Sequence, residues 1–249
     1  MAGHSKWANI KHKKGKADAK RGKVFTRISK EITIASREGG GDPDGNPRLR
    51  LAIQNARAVN MPNDNITRAI KKGTGEIEGV AYEEITYEGY APNGVAVILE
   101  TVTDNKKRTV SEVRALMSKH GGNLGETNSV AWNFERKGAI TINTNGKTED
   151  ELFETVLEAG ADDIEYNEDT SRIICPMENF AIVNKYLEEN KFEIAEAKLE
   201  YIAKNIVNIT NVADAQKVLK FIDVFEDHDD VQNVFYNFEI DDSIAEQLD

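Results

Sequence analysis

The chain has 249 residues, 39% of them apolar and 30% charged, and its formal net charge is -11. Its single cysteine, Cys175, excludes a disulfide scaffold and any multi-cysteine zinc site. The apolar runs are as short as Val95–Leu99 and no secretory h-region follows the basic start, so neither a bilayer span nor a secretory leader is expected, and Ala2 does not fit N-myristoylation.

Residues 1–16 carry Lys6, Lys11, Lys13, Lys14 and Lys16 with no acid, and read as a mobile arm unable to bury a core of its own. Helical periodicity begins at residue 17 and runs to 37, with Phe25, Ile28, Ile32 and Ala35 as the apolar stripe. Lys20, Lys23, Arg27 and Lys30 fall within roughly 80° of one another on the opposite side, at about 100° per residue. Gly39-Gly40-Gly41 stops that helix, and Asp42-Pro43-Asp44-Gly45 is turn chemistry. Asn46-Pro47 reads as N-cap and first-turn proline of a second helix. That helix buries Leu49, Ala52, Ile53 and Ala56, and shows Arg50, Gln54 and Arg57 outward. A third helix starts near Asn63-Asp64, packs Ile66 and Ile70, ends at Gly73, and carries Arg68, Lys71 and Lys72.

From about residue 80 the period changes. Ile85, Tyr87 and Val95–Val102 predict two strands around Ala91-Pro92-Asn93-Gly94. A helix from Asn105 to His120 follows, stopped by Gly121. Ala131–Phe134 and Ala139–Ile142 are strand-like. Thr148-Glu149-Asp150-Glu151 is a capping box opening a helix closed by Gly160. Strands around Ile164–Tyr166 and Ile173–Cys175, a helix Glu178–Glu189 and a strand Phe192–Ala203 complete a β-α-β-β-α-β order, which is ferredoxin-like. A helix Ala213–Phe225 and a strand Val231–Phe238 end the chain. The expected architecture is α+β with three domains: a basic helical domain 1–76, a discontinuous α+β domain 77–130 and 205–249, and a ferredoxin-like insert 131–204.

The charge is unevenly divided between these parts. Residues 1–75 hold 17 Lys/Arg against 6 Asp/Glu, a net of +11, while residues 76–249 hold 15 against 37, a net of -22. A basic arm and basic helix faces on an otherwise acidic chain point to phosphate contact, because lysine and arginine displace the counterions of a nucleic-acid backbone. Trp7 stacks on a base or packs on the helices; the residues leave both open.

Other motifs carry less. Gly39–Gly41 reads as a flexible joint rather than a phosphate loop, since no G-x-G-x-x-G follows a strand. Gly146-Lys147-Thr148 lacks the upstream glycine of a Walker A motif, where Thr141 stands. His228 among Glu226, Asp227, Asp229 and Asp230 invites a metal, but a solvated acidic helix end is the expected reading. Cys175, in a strand, is a buried structural thiol. Thr103-Asp104-Asn105 caps a helix and has amides to offer an anion; capping alone is expected. No nucleophile, base and oxyanion donor assemble, so no catalysis, cofactor or metal is expected.

The stretches MAGHSKWANIKHKKGKADAKRGKVFTR (1–27) and GGGDPDGNPRLRLAIQNARAVNMPNDNITRAIKKGTGE (39–76) resemble the YebC/PmpR family, which includes the mitochondrial translational activator of cytochrome c oxidase subunit I. The similarity resumes at YEGYAPNGVAVILETVTDNKKRTVSEVR, KHGGNLG and DHDDVQNVFYNFE. It departs at Glu126-Thr127-Asn128-Ser129, where a glycine-serine pair is usual. The resemblance implies three domains, one α+β domain inserted in another, and a cytoplasmic, non-enzymatic regulator of gene expression. It implies either DNA-binding transcriptional regulation or a ribosome-associated translation factor that binds ribosomal RNA and relieves stalling at proline-rich stretches. The residues expected to contact nucleic acid are Lys6, Lys11, Lys13, Lys14, Lys16, Lys20, Arg21, Lys23, Arg27 and Lys30, then Arg48, Arg50, Arg57, Arg68, Lys71 and Lys72. A protein-interaction role for the acidic body is the competing expectation.

Overall fold

The computed structural model describes residues 17–245 and 247–248. The expected arm, 1–16 with Trp7, lies outside the described residues. The remainder groups into two compact units, residues 81–135 with 201–249, and residues 17–80 with 136–200.

The second unit begins with α1 (Ala17–Gly39), α2 (Pro47–Ala58) and α3 (Asn63–Thr74). Ile32, Ala35, Leu49, Ala52, Ile53, Ala56, Met61, Ile66 and Ala69 form their shared core, on the faces that the 3.6-residue period selects. The corner between α1 and α2 is built on Asn46, which is buried. Its amide donates to the carbonyls of Ala35 (2.7 Å) and Gly40 (2.8 Å), and its oxygen accepts from Leu49 N–H (3.1 Å). One side chain thus closes the end of α1 and caps the start of α2. The glycine run is therefore a close-packed corner and not the flexible joint expected. A Cβ on Gly39 would meet the Asn46 side chain at 2.6 Å, and Gly40 takes the left-handed φ of +86°. The third helix runs one residue past its expected end, to Thr74, and Gly75 at φ +80° supplies the left-handed stop.

The chain then forms β1 (Glu83–Tyr90), β2 (Ala96–Thr103), α4 (Lys106–Lys119) and the short β3 (Asn123–Leu124). Next come β4 (Phe134–Asn143), α5 (Glu149–Glu158), β5 (Asp163–Glu165), β6 (Thr170–Pro176), α6 (Phe180–Glu189) and β7 (Ile194–Ala203). The last elements are β8 (Val207–Ile209), α7 (Val212–Glu226), β9 (Val231–Tyr236), β10 (Phe238–Ile240) and α8 (Asp242–Ala245).

In the first unit the sheet order is β3-β1-β2-β9, with β8 and β10 paired in parallel beside it. The β1–β2 hairpin turns through Asn93 and Gly94, both at positive φ, the chemistry an Asn-Gly turn provides. Central β2 is buried on both faces. Val97 and Leu99 join the core with α4 and α7, while Ala96 and Ile98 pack with Val130, Phe134 and Phe235. Two expectations fail here for one reason, capture of backbone by a buried polar side chain. Ala131–Asn133 is a 3₁₀ turn rather than a strand, because the carboxylate of Glu88 takes the N–H groups of Val130 and Ala131. The strand expected over 231–238 breaks at Asn237, whose buried side chain accepts from Ala96 N–H at 2.7 Å and donates to Asn205 O at 2.9 Å.

In the second unit the inserted sheet has the order β5-β6-β4-β7, the ferredoxin-like arrangement read from the sequence. The Thr148–Glu151 capping box is formed, with both reciprocal bonds present. The helix expected from Glu178 begins at Phe180, after a 3₁₀ turn Met177–Asn179. The helices α5 and α6 cover one face over Ile140, Ile142, Leu152, Val156, Ile173, Cys175, Val183 and Leu187. Burial, with Asp162 nearby, pushes the Cys175 thiol up to about 11. Cys175 is therefore expected to resist iodoacetamide at pH 8 in the native chain and to react on unfolding; fast native labelling, read by mass, would contradict this. Among the described residues no helix is long and apolar enough to cross a membrane.

Candidate nucleic-acid interface

A basic surface needs cations held outward by a rigid frame, and the helical domain provides one. On α3, Ile66 and Ala69 face the core while Arg68, Lys71 and Lys72 are exposed one turn apart. On α1, Arg21 and Lys23 are exposed, and the Arg21 guanidinium lies 5.5 Å from the centroid of the Phe25 ring, an arrangement that steadies a surface arginine. On α2, Arg50 and Arg57 are exposed. Arg50 donates to the carbonyls of Pro43 (3.3 Å) and Asp44 (3.4 Å) in the preceding turn.

Other expected cations are placed differently. Lys30 is buried, at 9% exposure, and Arg27 is half-buried. The helical row Lys20–Lys23–Arg27–Lys30 is correct as a row, but the second half of α1 is covered on several sides: Ile32, Thr33, Ile34, Ala35 and Ser36 are all buried. Periodicity assigns a face and says nothing of how far along the helix that face stays wet. Arg48 is half-buried between two carboxylates, Glu31 (2.8 Å) and Glu38 (2.8 Å). It ties α2 to α1, and its charge is neutralised within the domain. The side chain of Lys20, with Lys6, Lys11, Lys13, Lys14 and Lys16, lies outside the described residues. Arg37, exposed in the last turn of α1, extends the row that Lys23 and Lys30 begin; its seven-residue spacing is the signal that marks it.

The expected outward face of α2 is also partly taken. Gln54 and Asn184 of α6 exchange amide hydrogen bonds at 3.3 and 3.0 Å. Asn55 pairs with the backbone of Ala197 on β7, donating at 2.8 Å and accepting at 2.9 Å. Since β7 is an edge of its sheet, an asparagine amide here occupies backbone groups that an edge strand otherwise leaves open. Leu51 packs on the core of the inserted domain.

Two polar clusters that the sequence singles out, at Thr103–Asn105 and around His228, are internally satisfied. At the start of α4, Asn105 caps Arg108 N–H (3.1 Å), and the Arg108 guanidinium lies 2.8 Å from both Asp104 and Asp230. The bond to Asp230, then that to Asp104, raises the Arg108 pKa. An anion at this helix start would meet two carboxylates, so capping is the role the geometry supports. Glu112, His228 and Asp230 form a three-residue group with metal-ligand spacing. Asp230 N–H donates to His228 Nδ1 (3.1 Å), which leaves the proton of the neutral ring on Nε2, 3.2 Å from Glu112. With Nε2 a donor and Asp230 held by Arg108 and Thr109, hydrogen bonding accounts for all three side chains.

Two family models match the chain. One describes a TACO1/YebC protein N-terminal domain and covers residues 5–76; the other describes the TACO1/YebC second and third domain and covers residues 82–238. A "Probable transcriptional regulatory protein" of Dictyoglomus turgidum is 54% identical over 249 residues, the full length of both chains. One of the same description from Halothermothrix orenii is 53% identical over 250 residues, covering 100% of this chain and 99% of its own. The crystal structure of a conserved hypothetical protein from Aquifex aeolicus superposes with a TM-score of 0.88 at 47% identity, covering 95% of this chain and 97% of that one.

Proposed function

The chain belongs to the TACO1/YebC family, and we propose that it is a non-enzymatic regulator of gene expression that holds nucleic acid through its basic N-terminal domain. The observation that carries this reading is the division of charge. A +11 segment is joined to a -22 body, and the helical frame keeps Arg21, Lys23, Arg57, Arg68, Lys71 and Lys72 exposed. The relatives' description as transcriptional regulators supports DNA as the target.

Ribosomal RNA is the second reading, and α2 favours it. Gln54 and Asn55, whose amides are suited to reading base edges, are engaged by Asn184 and Ala197. The polar side chains that remain exposed on α2 are the arginines Arg50 and Arg57, which suit backbone contact more than sequence readout.

Replacing Lys11, Lys13, Lys14 and Lys16 together by alanine is expected to weaken binding to every duplex or RNA tested. It is also expected to flatten the slope of log affinity against log salt by about 3, from four phosphate contacts at 0.7–0.9 each. Filter binding that finds affinity and slope unchanged would sink the electrostatic reading. Sedimentation of a lysate then separates the targets: salt-sensitive migration with ribosomes supports RNA, and recovery of particular promoter fragments free of ribosomes supports DNA.

A further inference from the structure

The inserted domain carries a helical face whose composition conflicts with its own stability. Every exposed position of α5 is either a carboxylate (Glu149, Asp150, Glu151, Glu154, Glu158) or one of two large apolar residues, Phe153 and Leu157. The helix holds no Lys or Arg. Asp150, Glu154 and Glu158 repeat at i, i+4, a like-charge spacing that weakens a helix. Glu158 also stands in the last turn, at the negative end of the helix dipole, where a cation would be favourable. Glu149, Asp150 and Glu151 suit the first turn and its capping box, but helix stability alone would not place Glu154 and Glu158 beyond it.

Phe153 and Leu157 are 42% and 45% exposed, one turn apart. The end of α5 is tied to the start of α6 by Asn179, whose amide donates to Gly160 O at 3.0 Å. Met177 (50% exposed) and Ile182 (62%) lie on the other side of that bond. Exposed apolar side chains thus stand on both α5 and α6, two helices whose facing ends this bond ties together, and on α5 they alternate with carboxylates. Lys185 on α6 pairs with Glu189 at 3.5 Å, Lys137 on β4 pairs with Asp162 at 2.8 Å, and Lys147, just before α5, lies 5.4 Å from the centroid of the Phe192 ring. Exposed apolar surface rimmed with charge marks an interaction site.

We propose that this α5/α6 face is a docking surface for a cationic protein segment that presents apolar side chains, such as a basic amphipathic helix. Such a partner covers Phe153, Leu157 and Ile182 while its lysines or arginines relieve the repulsion along Asp150, Glu154 and Glu158. A second copy using the same face is disfavoured, since two-fold pairing sets carboxylate against carboxylate. This surface is separate from the basic helices and stands whether or not the nucleic-acid reading does.

The test uses the full chain and a labelled amphipathic peptide of leucine and lysine, with a leucine-glutamate peptide as control, followed by anisotropy at low and high salt. The leucine-lysine peptide is expected to bind at the α5/α6 face, and any binding of the control, which the basic N-terminal residues attract, is expected to be untouched by substitutions on that face. Phe153→Ser with Leu157→Ser, which leaves the charge unchanged, is expected to weaken binding by about tenfold or more. Glu154→Gln with Glu158→Gln is expected to weaken it and flatten its salt dependence. Ile182→Ser, on the other helix, gives the same loss as a separate check on folding. Equal binding by the native and serine proteins overturns the proposal. So does a concentration-dependent dimer, seen by sedimentation equilibrium and abolished by the serine pair, which would make the occupant a second copy.

Discussion

Gly73→Ala is expected to destabilise the helical domain by about 2–3 kcal/mol through overpacking. In an ordinary helix the same change stabilises by about 1 kcal/mol, so the sign of the effect is itself the test. A Cβ at position 73 would lie 2.4 Å from the carbonyl oxygen of Thr33, 2.6 Å from Ser36 Cβ and 3.1 Å from Arg37 N. Two of those three atoms are backbone of α1 and cannot swing aside. The crossing is fixed from both helices, since Thr33 Oγ1 donates to Ala69 O of α3 at 3.3 Å as well as to Ser29 O at 2.8 Å. Relief requires α1 and α3 to separate, which moves Lys71 and Lys72, the residues just before the crossing, away from the α1 cations. Urea unfolding and nucleic-acid binding of the variant are both expected to fall. An alanine variant as stable as the native chain would show that the two helices do not meet this closely.

Glu88→Gln is expected to cost about 2–3 kcal/mol, the scale of charge-assisted hydrogen bonds lost at a buried site. Glu88 is 7% exposed, and its carboxylate accepts three backbone bonds. Asn128 N–H donates to Oε1 at 2.7 Å, and Val130 and Ala131 N–H donate to Oε2 at 2.9 and 2.8 Å. Glutamine keeps the shape but replaces one oxygen by an NH₂ group, which sets donor against donor. The same loop is braced by Gly125 N–H to Glu88 O at 2.8 Å and by Tyr90 OH to Ser129 O at 3.3 Å. Trp132, 65% exposed, donates its indole N–H to Ser129 O at 3.1 Å, so its emission reports on the loop. The expected result is a lower urea midpoint, faster amide exchange at Asn128, Val130 and Ala131, and altered tryptophan emission. Unchanged exchange at those three amides would show that the carboxylate does not hold the loop.

Most elements were legible because their signals are local. The Thr148–Glu151 box, the Asn46-Pro47 start, the Asn93-Gly94 turn and the Gly121 stop act over at most four residues, and the chain obeys them. The strand order of the inserted domain was legible for the same reason, because alternating strand and helix signals leave few ways to close a sheet. The two misread strands fall where a distant polar side chain takes over backbone. Glu88 turns Ala131–Asn133 away from a ladder, and Asn237 ends β9 by bonding Ala96 and Asn205. Nothing near positions 131 or 237 in the chain announces either bond.

The candidate interface divides in the same way. By itself the sequence determined that charge is split between a basic start and an acidic body, since that is arithmetic on residue types. It also determined which residues share a helix row, since that follows from the helical repeat. Only the tertiary structure decided which members of a row face water. It buried Lys30, paired Arg48 with Glu31 and Glu38, and turned Gln54 and Asn55 to Asn184 and Ala197 more than a hundred residues away. Those outcomes depend on which surfaces are brought together by burial of apolar area, a cooperative property of the whole unit. No window of sequence contains it.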